Sequence, residues 1–204
     1  MREKPITFKC NHLEIEGRLA AAGPKGVVVT HPHPLYGGSL DNPVVEIVVR
    51  AFQKLGFSTL RFNFRGVGAS QGDYDNGRGE AADTREALNF LAQAGIQAVY
   101  LAGYSFGAWV NTQVSPQEIG DIPMIMVSPP VAFMQFEDQL RLPNLKLVIT
   151  GAHDEISPEP MVREQIVTWN PTARLEIIPG ADHFYSGRLR SLAETVTANI
   201  NSER

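Results

Sequence analysis

Ser105 stands in the run Gly103-Tyr104-Ser105-Phe106-Gly107, between an apolar stretch at 99–102 and a helix-compatible stretch at 108–112. A glycine-x-serine-x-glycine turn from strand to helix holds its serine hydroxyl clear of the sheet. Glycine tolerates the crowding at both flanks. The helix that opens there turns its free N–H groups toward the serine, where negative charge would develop. The chemistry this suggests is nucleophilic attack. A serine hydroxyl attacks well only when a base takes its proton and a third group orients that base. Two histidines follow Ser105, His153 and His183. His183 comes after the apolar run 175–178 and the turn 179–182, so it belongs to a loop at the end of a strand. The acids available to orient it are Asp138, Asp154 and Asp182. Asp182 adjoins His183 in sequence, a poor place from which to bond the far ring nitrogen. Asp154 follows the apolar run 145–149 in another strand-end loop, beside His153.

A carbonyl attacked by Ser105 becomes an oxyanion and needs two donors. One is the backbone N–H of Phe106, the residue after the serine. The other is expected from the loop His31-Pro32-His33-Pro34-Leu35-Tyr36-Gly37-Gly38-Ser39. Pro32 and Pro34 have no N–H. His33, Leu35 and Tyr36 remain, and Leu35 and Tyr36 lie closest to the glycine pair that would bend the chain toward the serine. Tyr36 is preferred.

These loops need strands to carry them. Ile6, Phe8 and Cys10 alternate with polar residues, as do Leu13 and Ile15, with Asn11-His12 between them. That pattern predicts an antiparallel hairpin with one wet face. Cys10 lies in the alternation and reads as a packing residue. Residues 27–29 are continuously apolar, as in a strand buried on both faces. Further strands are predicted at 57–64, 99–102, 124–127, 145–149 and 175–178, and helices at 44–55, 79–94, 159–168 and 186–201. Strands alternating with helices predict an α/β fold, a doubly wound, mostly parallel sheet with ligands at the carboxyl ends of its strands.

At 204 residues the chain is most simply one domain, 1–204, and its 43% hydrophobic and 20% charged content is that of a globular protein. A net charge of −4 with no basic run argues against a nucleic-acid partner. The charged start, Met1-Arg2-Glu3-Lys4-Pro5, lacks a signal peptide's apolar segment, and no apolar run is long enough to span a bilayer. The single cysteine forms no internal disulfide, which points to a reducing, cytoplasmic setting.

Taken together, the 31–38 loop, Arg61-Phe62-Asn63-Phe64-Arg65-Gly66-Val67-Gly68-Ala69-Ser70, the Ser105 pentapeptide, Gly151-Ala152-His153-Asp154 and Gly180-Ala181-Asp182-His183 resemble the α/β-hydrolase superfamily. Within it they resemble the small serine hydrolases without a lid. The motifs run in family order and span about residues 6–200. The resemblance implies that Ser105 is the nucleophile, Asp154 the acid and His183 the base, in the order serine, acid, histidine. It implies a small-molecule acyl substrate, an ester or thioester, with no cofactor. A peptidase-like amide hydrolase, a lactonase, or a non-catalytic binding module on the same fold are the alternatives. Two departures stand out. Prolines occupy the place where the family's oxyanion loop begins His-Gly, and Asn63 replaces an aspartate. Asn63 and Arg65 read as loop scaffolding.

The connection 128–144, bounded by Pro129-Pro130 and Pro143, has room for about one short helix. That is too little to cover a cleft, so an open site with weak acyl-chain selectivity is expected. Val131, Phe133, Met134 and Phe136 either line one wall or pack into the core. Two other motifs carry less. Gly66 to Gly72 resembles a dinucleotide turn, but its third glycine falls late and no helix opens on it. His31 and His33 have no third histidine or cysteine nearby to complete a metal site, and one of them is expected to order the loop through a backbone bond.

Overall fold

The computed structural model describes residues 1–96, 98–114 and 120–201. A hairpin opens the chain. Strand β1 (Lys4–Cys10) pairs antiparallel with β2 (Leu13–Ala20) across a turn in which Asn11 has φ 55°. The remaining strands are β3 (Lys25–Thr30), β4 (Ser58–Phe62), β5 (Ala98–Tyr104), β6 (Met124–Val127), β7 (Leu145–Gly151) and β8 (Arg174–Ile178). They form one eight-stranded sheet in the order β1-β2-β4-β3-β5-β6-β7-β8. From β4 to β8 every pairing is parallel, and β2 joins β4 antiparallel.

The helices are α1 (Pro43–Lys54), α2 (Arg78–Gln93), α3 (Phe106–Asn111), α4 (Glu159–Trp169) and α5 (Leu189–Asn201). Alternation along the strands divides the core into two layers. Val27 and Val29 of β3 pack with Val45, Val49 and Phe52 of α1 and with Leu192 and Val196 of α5. Val28 faces the other way, in the layer that holds Leu88 and Leu91 of α2, Val110 of α3 and Trp169 of α4. Helices on both faces leave the central strands no wet side, which is why residues 27–29 of β3 and 124–127 of β6 read as unbroken apolar runs.

The chain winds outward from β3 to β4, then crosses back to β5 on the other side of β3. The crevice of such a sheet opens at that reversal, at the carboxyl ends of β3 and β5. The 31–39 loop leaves β3 there, and Ser105 leaves β5.

Most predicted bounds shift by one or two residues, the strand at 57–64 to Ser58–Phe62 among them, and three further points differ. The last helix starts at Leu189 rather than 186, because Gly187 takes φ 67° and ends the turn that holds His183. Residues 34–36 form a 3₁₀ turn (Pro34–Tyr36), not irregular loop. The 128–144 connection contains no helix, only turns. No helix among the described residues is long and apolar enough to cross a membrane.

Candidate active site

Ser105 sits between β5 and α3 with φ 53° and ψ −120°. A non-glycine residue held there costs about 1–3 kcal/mol, so its surroundings must impose it. They do so on both sides. The Ser105 N–H donates to the Val127 carbonyl at 2.9 Å, and the Ser105 carbonyl accepts from Ala108 N–H at 2.9 Å and Trp109 N–H at 3.2 Å. The turn also leaves no room beside it. A Cβ on Gly107 would lie 2.6 Å from Thr30 Oγ1 and 2.7 Å from the His31 carbonyl, and one on Gly103 would lie 2.6 Å from the Ala108 nitrogen. Gly107→Ala therefore pushes the elbow off the β3 loop. Urea denaturation should show a loss of about 1–3 kcal/mol, with activity falling further than the folded fraction.

The residues named for the site on sequence grounds come together. His183 Nε2 lies 3.0 Å from Ser105 Oγ, and His183 Nδ1 lies 2.9 and 3.0 Å from the two oxygens of Asp154. All three residues are buried. Asp154 Oδ1 also accepts from the N–H groups of Ile156 (3.0 Å) and Ser157 (2.7 Å), and Oδ2 from Thr150 Oγ1 (3.4 Å). Burial alone would raise the Asp154 carboxyl. Hydrogen bonding and charge from His183, with help from the Ser128 hydroxyl and the Ser157 N–H, outweigh burial and hold it below its ordinary value. Ionised Asp154 fixes Nδ1 as the protonated ring nitrogen, leaving Nε2 to accept from Ser105. Asp182 is turned elsewhere and caps Ser186 N–H at 2.9 Å. His153 and Asp138 are exposed and outside this chain of bonds.

Sequence reasoning missed the groups that brace the histidine. Tyr104, one residue before the serine, donates its hydroxyl to the His183 carbonyl at 2.9 Å and packs on the His183 ring at 5.4 Å. Tyr185 is fully buried and shares a hydrogen bond with Ser128 Oγ at 2.8 Å, beside Asp154. The signal was available at Tyr104, since a tyrosine ending a buried strand must find a partner for its hydroxyl. The partner lies 79 residues away and no local pattern names it.

The second oxyanion donor needs correcting. Leu35 N–H donates to His33 Nδ1 at 3.2 Å, and Tyr36 N–H donates to the His33 carbonyl at 3.1 Å. Both amides, expected to face Ser105, are used within their own turn. The cause is Pro34, whose fixed φ starts the 3₁₀ turn and makes His33 its N-cap. The loop therefore turns first through Pro34–Tyr36 and then at Gly37, which has φ 78° and brings Gly38 N–H back to the His33 carbonyl at 3.0 Å. Among the described residues, the N–H groups of His33 and Phe106 have no protein acceptor, and their two rings stack at 4.6 Å. Proline after His33 was the overlooked signal.

Beside Ser105 and His183 opens a cleft of about 260 Å³, walled by His33, Tyr36, Ile156 and Phe184 among others. Val131, Phe133, Met134 and Phe136 do not line it. Phe136 packs on Trp169 at 4.8 Å, Val131 and Met134 lean on the core, and Phe133 is exposed.

No protein-family profile matches the chain. It is 34% identical to an uncharacterised protein of Rickettsia prowazekii, over 94% of this chain and 86% of that one. Its fold matches an α/β serine hydrolase homologue from Coxiella burnetii with a TM-score of 0.89, at 32% identity over 98% of both chains. An α/β serine hydrolase without a lid from Xanthomonas campestris matches with a TM-score of 0.87, at 29% identity over 99% of this chain and 95% of that one. The chain belongs to the lidless α/β serine hydrolases.

In this hydrolase the other conspicuous motif residues hold loops. Asn63 accepts from Leu40 N–H at 2.8 Å and donates to Glu16 at 2.8 Å, tying the β3 loop to β2. Arg65 grips buried Asp83 through Nη2 at 2.8 Å and Nε at 3.1 Å. In the 66–72 turn, Gly66 N–H donates to the Gln71 carbonyl, and the Gln71 and Ala69 amides donate to Glu14 and Glu16 of β2. His31 orders its loop through backbone bonds at both ring nitrogens. Nδ1–H donates to the Pro32 carbonyl at 2.6 Å, and Nε2 accepts from Phe64 N–H at 3.0 Å.

Burial pulls the His31 ring down from 6.5 to about 4. The unfolded chain then takes up this proton before the folded chain does. Stability from this group is complete above pH 6.5 and is lost as pH falls toward 4. The loss amounts to about 3 kcal/mol over that window. Urea midpoints at pH 7.0 and 4.5 should differ accordingly, and His31→Asn should flatten the dependence. Equal midpoints in the wild type would refute the account of His31.

Proposed function

We propose that this protein hydrolyses an ester or thioester of a small to medium acyl group through an acyl-enzyme on Ser105. The observation that carries this reading is the unbroken hydrogen-bond chain from Asp154 through His183 to Ser105, with distances of 2.9 and 3.0 Å. Its alignment at a strained strand-to-helix turn is what general-base activation of a serine requires.

In the reading, Ser105 Oγ bonds to the substrate's carbonyl carbon while its proton passes to His183 Nε2. The oxyanion is held by the Phe106 N–H and the His33 N–H, amides that have no acceptor among the described residues. His183 returns the proton to the departing alcohol or thiol as its bond to carbon breaks. Water then attacks the acyl-enzyme, gives its proton to His183, and the acid leaves as Ser105 recovers a proton from the imidazolium. Asp154 keeps the ring in the productive tautomer and offsets its positive charge.

A panel of matched esters, thioesters and amides, run with wild type and Ser105→Ala, tests the reading. Turnover of an ester or thioester that vanishes in the variant supports it. Turnover of amides alone, or turnover that persists in Ser105→Ala, refutes it.

A further inference from the structure

We propose that the cleft beside Ser105 receives the aryl group of a neutral aromatic ester. The inference rests on the acyl-hydrolase reading above and narrows its substrate class. Three observations carry it.

The first is charge. Among the described residues, no lysine, arginine, aspartate or glutamate lines the cleft. Its lining histidine at the loop, His33, is kept toward the neutral form by burial and is engaged at both ring nitrogens, by Leu35 N–H and the Tyr74 hydroxyl. Three acids adjoin the lining in sequence: Asp41 beside Asn42, Glu155 beside Ile156 and Asp182 beside His183. An anionic group entering here meets no lining lysine or arginine among the described residues, and it meets the Asp154 carboxylate, which lies 2.9 Å from His183 Nδ1.

The second is size. The cleft measures about 260 Å³, and an apolar cavity of roughly 150 Å³ accepts benzene. One ring and the ester atoms fit.

The third is the wall. Tyr36 and Phe184, from the two loops that bound the cleft, are 87% and 66% exposed. Most exposed apolar side chains need no explanation, but these two border the candidate nucleophile and base. Tyr36 packs on His33 at 4.8 Å, and Phe184 meets His183 edge-on at 5.6 Å and 86°. Each ring presents an uncovered surface beside the reacting groups. A substrate ring completes these aromatic clusters at the 4.5–7 Å spacing such pairs prefer.

The test measures kcat/KM by titration of released acid, using unactivated esters. Methyl phenylacetate is compared with methyl pentanoate, benzyl acetate with butyl acetate, and monomethyl glutarate serves as the anionic member. The expected result is about a tenfold preference for the aryl ester in at least one pair, with monomethyl glutarate at least about tenfold below methyl pentanoate. In Tyr36→Ala and Phe184→Ala the aryl-to-alkyl ratio should fall toward one, mainly through KM. Alkyl esters equal to or better than aryl in both pairs, or rapid turnover of monomethyl glutarate, would overturn the inference. Labelling of Ser105 by a fluorophosphonate separates the two claims. If Ser105 is labelled and the aryl preference is missing, the substrate inference alone fails; if Ser105 is not labelled, the acyl-hydrolase reading fails and takes the inference with it.

Discussion

Ser105→Ala should lower kcat by about 10⁴–10⁶ while leaving the thermal midpoint within about 1–2 °C of wild type. The two halves of this expectation have separate origins. The hydroxyl makes one hydrogen bond across the site, to His183 Nε2 at 3.0 Å, and it is the atom that bonds to the substrate. Nothing nearby replaces it, because the adjoining buried hydroxyl of Tyr104 is already spent on the His183 carbonyl. The backbone of Ser105 is fixed through its own N–H and carbonyl, to Val127, Ala108 and Trp109, and alanine keeps all of these. Steady-state kinetics and a melting curve on the same preparation check both halves. A variant that keeps more than about one part in a thousand of kcat would show that another group does the attack.

Asp154→Asn should cost about 10⁴ in kcat, with the fold intact, by analogy with other serine triads. The reason lies in which oxygen meets which donor. Asp154 Oδ1 accepts the Ile156 and Ser157 amides at 3.0 and 2.7 Å. An asparagine would turn its oxygen to those amides and its NH₂ toward His183 and Thr150. His183 Nδ1 must then accept, so the ring proton moves to Nε2 and points at Ser105 Oγ. A base that already holds a proton on the working nitrogen cannot take the serine's. Nitrogen NMR of labelled histidine should show protonated Nδ1 in the wild type and protonated Nε2 in the variant, alongside the kinetic loss. Wild-type activity in Asp154→Asn would remove Asp154 from the mechanism.

The sequence made the strands legible because the central ones are buried on both faces. Runs such as 27–29 and 124–127 had to be continuously apolar, and the carboxyl ends of the parallel strands β5, β7 and β8 put Ser105, Asp154 and His183 in loops on one edge. Gly103 and Gly107 were legible because the turn excludes any Cβ. The donor of the 31–39 loop was misjudged for a local reason. The glycine pair does bend the chain, but Pro34 imposes a 3₁₀ turn just before it and spends the Leu35 and Tyr36 amides on His33. The hydroxyl braces were illegible for a different reason. Tyr104 reaches His183 and Tyr185 reaches Ser128 across 79 and 57 residues, and only the closed sheet brings them together. For the cleft wall, the sequence leaves Val131, Phe133, Met134 and Phe136 open between wall and core. Phe136 had a better partner in Trp169, and the exposed walls came from Tyr36 and Phe184, which no periodicity marks.

The central claim is that Ser105 is a nucleophile activated by His183. Intact-protein mass spectrometry after treatment with a fluorophosphonate tests it most directly. The account predicts one adduct per chain, located on the peptide that carries Gly103 to Gly107, absent in Ser105→Ala and slowed by at least a hundredfold in His183→Ala. An unmodified wild type, or an adduct that persists in Ser105→Ala, would contradict it.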